Sequence, residues 1–125
     1  MLRAIAAVLL GLLMVTTFAV PAGAATIKVS VNGAPVTDVQ ISQRVKLLQL
    51  EGRGSSKAAR DELVDEALML QEAKRLGIEI SDAQVSDAML GVARNIKVSS
   101  DKLVQILNQN GVNVETLRDR LRAAL

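Results

Sequence analysis

The residues best placed to do chemistry are the carboxylates Asp61, Glu62, Asp65 and Glu66, crowded into one stretch and followed by Glu72. Paired carboxylates serve as general acid and base or as ligands for hard cations. Here their environment argues for neither. The sequence has no histidine and no cysteine, which removes an imidazole proton carrier, a thiol nucleophile, a disulfide and nitrogen or sulfur metal ligands. The carboxylates lack the spacing of a calcium loop. They sit in the first turns of one long helical pattern, and Lys74 and Arg75 close it, an order that suits the helix dipole. Glu62 and Glu66 are therefore read as helix electrostatics. Gly52 and Gly54 lie where a phosphate loop could stand, but no lysine and hydroxyl pair follows in the required order. The expectation is no catalytic residue, no cofactor and no metal.

That helical pattern, Asp61 to Ile80 (DELVDEALMLQEAKRLGIEI), is the element around which the others must gather. Leu63, Ala67 and Leu70 recur at helical spacing with Val64 and Leu68 beside them. Met69, Ala73 and Leu76 form a second apolar row. A helix apolar on two sides is expected to be covered on two sides. Gly77 is the expected stop, where glycine adopts a left-handed conformation cheaply.

A chain of 125 residues allows one domain, and a formal charge of +2 is too small to argue for nucleic acid. The single aromatic residue, Phe18, leaves no stacking platform for bases. Met1-Leu2-Arg3, the apolar run Ala4 to Val20 and the small residues Pro21-Ala22-Gly23-Ala24 have the layout of a secretory signal peptide. Cleavage is expected after Ala24, with Ala25 as an alternative, and a membrane anchor is the competing reading of the same run. Residues 1–24 are assigned to the signal and 25–125 to the exported domain. The expected location is the periplasm.

The exported part begins with Ile27 to Val31, which alternates like a half-buried strand. Asn32-Gly33 signals a tight turn into a short strand at Ala34 to Val36, with Pro35 confining it to an edge. Thr37 or Asp38 caps a helix from about Val39 to Leu50 whose buried face is Ile41, Val45 and Leu48. Leu47 and Leu50 point away from that face and are expected at the surface. Ser56 is expected to cap the central helix. Ser81 and Gln84 form a capping box for a helix to about Asn95, with Val85, Ala88, Met89 and Val92 on one face and Leu90 off it. Ser99 or Ser100 starts a short helix that ends at Gly111. Asn113 caps a last helix bearing Val114, Leu117, Leu121 and Leu125, with Arg118, Arg120 and Arg122 around that stripe. The apolar pattern is still running at Leu125. The fold expected is mainly α, a small multi-helix domain with a short N-terminal β-hairpin.

Three segments in this order carry a resemblance: VSVNGAPVTDVQISQRV at Val29 to Val45, DELVDEALMLQEAKRLGIEISDAQV at Asp61 to Val85, and LVQILNQNGVNVETLRDRLR at Leu103 to Arg122. Together they resemble the N-terminal domain of the SurA family of periplasmic chaperones, which also carry parvulin-type prolyl isomerase domains. The resemblance covers essentially all of the exported part. It implies binding of unfolded outer membrane proteins or other extended polypeptides, with no bond chemistry in this segment. It also implies that a C-terminal completion and a parvulin domain lie outside the sequence, so that a longer parent could be a peptidyl-prolyl isomerase. Candidate client or domain contacts are Leu47, Leu50, Met69, Met89 and Leu90. The alternative is an exported helical interaction module, or a non-autonomous fragment, that meets a missing C-terminal segment or a second copy. In that alternative the three arginines of the last helix only solubilise the surface.

Overall fold

A computed structural model describes residues 25–125. The expected signal peptide, its cleavage site and the competing membrane anchor, residues 1–24, lie outside the described residues. Two antiparallel strands, β1 (Ile27–Val31) and β2 (Ala34–Thr37), precede five helices. These are α1 (Asp38–Leu50), α2 (Ser56–Arg75), α3 (Asp82–Asn95), α4 (Ser100–Gln109) and α5 (Val114–Ala124). The fold is mainly helical with a small N-terminal hairpin, as its local signals imply.

Those signals act within a few residues. Asn32 and Gly33 both take positive φ, 50° and 85°, and close the hairpin in the mirror-image turn that matches strand twist. The register pairs Val31 with Ala34, Ser30 with Pro35 and Val29 with Val36, with an irregularity between Ile27 and Val29. Thr37 caps α1: the Gln40 N–H donates to its hydroxyl, and its own N–H donates to the Gln40 side chain. Ser81 and Gln84 make the same reciprocal pair at α3. Ser55, not Ser56, caps α2, accepting from the Ala58 N–H at 3.0 Å, so α2 begins one residue earlier than its sequence suggests. Gly77, at φ 71°, lets the Ile78 N–H reach back to the Ala73 carbonyl at 2.8 Å. Lys97 does the same work at the end of α3 with φ 59°, a conformation that disfavours a side chain.

The apolar residues divide into two clusters. One joins Val31 and Val36 of the hairpin to Ile41 and Leu48 of α1 and Ala59 of α2, with Leu63, Val64 and Ala67 packed against them. The other gathers Leu47 of α1 with Met89, Ala93, Leu103, Leu107, Val112 and Leu117 from α3, α4 and α5. Helix α1 serves both, because Leu47 and Leu48, about 100° apart around the helix, each enter a different cluster. Leu47 is only 4% exposed, which overturns the expectation that it lies at the surface. The buried arc of α1 is wide: Ile41, Arg44, Leu47 and Leu48 are all buried, and the stripe of Val39, Ser42, Lys46 and Gln49 faces water. Met89 is likewise buried, at 7% exposure, so neither residue is available as a surface contact in this fold.

Candidate functional site

Where α1, α2 and α5 converge, they share charge. Arg44 stands between Ile41 and Leu48 on α1, and its side chain is 1% exposed. Its two Nη atoms reach Glu66 Oε1 and Oε2 at 2.5 and 2.8 Å, a forked pairing, and Nη1 also reaches Glu62 Oε2 at 3.1 Å. Glu62 and Glu66 lie one turn apart on α2, so both face the same guanidinium. Arg53, in the α1–α2 connection, holds Glu62 at 2.7 Å and Glu51 at 2.9 Å. Arg120 of α5 completes the set by donating to Glu51 and lying 4.0 Å from Glu62. Burial opposes charge on Arg44, but Glu66 and Glu62 outweigh it and hold the guanidinium above its ordinary value. Burial likewise pushes Glu51 and Glu62 upward, yet their arginine partners win. Arg120 and Arg53 hold Glu51, and Arg53 and Arg44 hold Glu62, below the usual carboxylate range. Carboxylates ionised this firmly are poor proton carriers at neutral pH. Among the described residues, no group of acids is placed to hold a metal ion. The cluster clamps three helices.

The arginines of α5 are part of such clamps and do more than solubilise. Arg122 reaches Asp82 at the start of α3 at 2.9 Å and Asp119 at 3.0 Å. Arg118 donates to the Ser86 hydroxyl and to the Asp82 carbonyl. That corrects the reading of these three side chains as a solvated fringe.

Beyond the clamp, α2 emerges from cover. Its C-terminal half, the Gly77 turn and the end of α5 border an open apolar groove of about 920 Å³. Leu68, Met69, Leu76 and Ile78 line it, with Ala123 and Leu125 opposite. Met69 is 52% exposed and Leu76 57%. The second apolar row of α2, expected to be covered, is therefore the groove wall. Among the candidate contacts, Met69 alone borders this groove. Leu50 and Leu90 are exposed but lie outside it, and Leu47 and Met89 are in the core. Leu68, Leu76 and Ile78 were not singled out as contacts. The signal for Leu76 was the surplus row itself, since α2 has more apolar positions than one face can bury; Leu68, beside the first row, was expected to be covered.

The sequence model of the SurA-like N-terminal domain matches residues 2–125. The chain belongs to the SurA-like N-terminal domain family. This SurA-like domain is 27% identical over 125 residues to the chaperone SurA of Vibrio vulnificus, covering 91% of this chain and 29% of that protein. It is 25% identical over 105 residues to the chaperone SurA of Saccharophagus degradans, covering 76% of this chain and 24% of that one. The chaperone SurA of Escherichia coli matches at 24% over 126 residues. The chain spans about a quarter of the length of these curated relatives.

Proposed function

We propose that this SurA-like domain is the client-binding part of an exported chaperone, acting in the periplasm on unfolded segments of outer membrane proteins. The observation that carries the reading is the groove along α2. Soluble proteins rarely leave a contiguous apolar surface of this kind without a partner. The wall includes Met69, whose flexible and polarizable side chain suits irregular apolar partners. The relatives named above are chaperones, and the N-terminal pattern of residues 1–24 supports export. Binding on this reading buries apolar side chains and breaks no bond. The test is suppression of aggregation of an unfolded outer membrane protein, by the chain alone and by the chain joined to whatever follows it in its genome. Failure of both to bind such clients sinks the proposal.

A second reading is a helical interaction module whose groove holds one fixed partner helix. The line of the groove along a single helix and its closing turn, from Leu68 to Ile78, favours it, since an apolar trough of that shape suits one amphipathic helix. Saturation of the groove by one defined helix, with loss of client binding, is the outcome that selects it.

A further inference from the structure

The groove along α2 is apolar along its floor and carries carboxylates beyond both ends of that floor. Asp65, Met69, Glu72 and Leu76 follow one another at intervals of four, three and four residues, so they share one stripe of the helix about 60° wide. The stripe is open, with Met69, Glu72 and Leu76 each more than half exposed. Those three line the groove, and Asp65 borders a smaller recess of about 190 Å³ that shares Met69 and Ala123 with it. Glu79 lines the groove beyond the Gly77 turn.

Most of the charge around this surface is already paired. Glu62 and Glu66, in the recess, are held by Arg44 and Arg53, and Arg120 beside them donates to Glu51. Arg122 is held by Asp82 and Asp119, and Glu72 by the exposed Arg75 at 2.6 Å. Asp65 and Glu79 make no ion pair among the described residues. The remaining cation of the lining, Lys74, comes nine residues after Asp65 and so stands about 180° from it around α2, on the flank that borders the cavity between β2 and α2. The open stripe is left with uncompensated negative charge in a chain whose formal charge is +2. A cation drawn there is drawn by this surface and not by the total charge of the molecule.

We propose that the groove selects client segments in which an apolar stretch is flanked by lysine or arginine. The apolar side chains cover Met69, Leu76 and Ile78, and the flanking cations meet Asp65 at one end and Glu79 at the other. Asp65 and Leu76 are about 17 Å apart along the helix axis, a length that about five extended residues cover. This preference rests on the client-binding reading of the groove. Apolar burial sets the affinity, and the two carboxylates set the choice among segments of equal hydropathy.

The test is fluorescence anisotropy at low salt, with the chain and three capped peptides that share a short centre of alternating leucine and valine. Their flanks are lysines, glutamines or glutamates. The lysine-flanked peptide should bind about fivefold tighter than the glutamine-flanked one, the glutamate-flanked peptide should bind weakest, and added salt should erase the difference. Asp65→Asn with Glu79→Gln should remove the preference and leave the glutamine-flanked peptide unchanged. Asp87→Asn with Asp101→Asn, an equal charge change on α3 and α4, should leave the preference intact. Met69→Gln with Leu76→Gln should weaken all three peptides. Binding without preference for lysine, a preference that survives Asp65→Asn with Glu79→Gln, or an equal loss from the α3 and α4 substitutions overturns the charge selection and leaves the client-binding reading standing. Failure of all three peptides to bind, or binding indifferent to Met69→Gln with Leu76→Gln, overturns both.

Discussion

Arg44 of α1 and Glu66 of α2 meet through two parallel N–H···O contacts at 2.5 and 2.8 Å, with the arginine 1% exposed. The pair lies between the hairpin cluster and the cluster of α3, α4 and α5, at a junction that apolar side chains do not fill. A forked guanidinium–carboxylate pair fixes direction as well as distance. It ties the middle of α2 to α1, one turn before Met69 of the exposed groove wall.

Removing one partner should therefore cost more than removing both. Arg44→Met leaves Glu66 and Glu62 facing each other without their shared cation, and should destabilise by about 3–5 kcal/mol. Adding Glu66→Leu to Arg44→Met removes the stranded charge and should recover a measurable part of the loss. Urea unfolding of the single and double variants checks both statements. A double variant less stable than Arg44→Met alone contradicts this account of the pair.

Acid should loosen the same junction. The partners of Glu51 and Glu62 depress both carboxyls below the 4.5 typical of a free glutamate. In the unfolded chain those groups take up protons near 4.5, while in the folded chain they resist until lower pH. Folding stability from this source is thus complete above 4.5 and is lost as pH falls through the depressed folded values. The urea midpoint should hold steady from neutral pH to about 5 and then decline. Arg120→Gln removes one partner from each carboxylate and should make that decline shallower.

Much of this fold was legible because much of it is local. Asn32-Gly33, Ser81 with Gln84, and Asn113 each act within three residues, and each stands where the sequence places it. Arg44 was illegible for the opposite reason. Its partners lie 18 and 22 residues away on another helix, and an arginine in an apolar row is ordinarily read as a stem that snorkels to water. Leu47 was misread because periodicity assumes a narrow buried face, and the buried arc of α1 is wide. The surplus apolar row on α2 was visible, but its exposure depends on which neighbours α2 has, and no local pattern reports that.

The ends of α2 and α3 offer a paired experiment on backbone cost. Gly77 has open space where a Cβ would go, so Gly77→Ala tests conformation without a clash. At φ 71° it should cost about 1 kcal/mol. Lys97 sits at φ 59° with a side chain already in place, and Lys97→Gly should stabilise by a similar amount. Thermal melts of the two variants should move in opposite directions. A fall for both shows that Lys97 makes contacts worth more than its backbone strain.

The core and the groove separate stability from binding. Leu47→Ala opens a cavity between α1 and the cluster of α3 to α5 and should cost about 2–5 kcal/mol. Met69→Gln changes a half-exposed side chain on the groove wall and should move stability by no more than about 0.5 kcal/mol. If the groove binds clients, the ranking reverses in an aggregation assay run well below the melting temperature of both variants. Met69→Gln, and more so Met69→Gln with Leu76→Gln, should lose suppression while remaining folded. Leu47→Ala should retain it for as long as it stays folded, because its side chain is out of reach of any ligand. Full suppression by the folded double groove variant would place client binding on another surface. Leu50 and Leu90, both exposed and both outside the groove, are then the next positions to change.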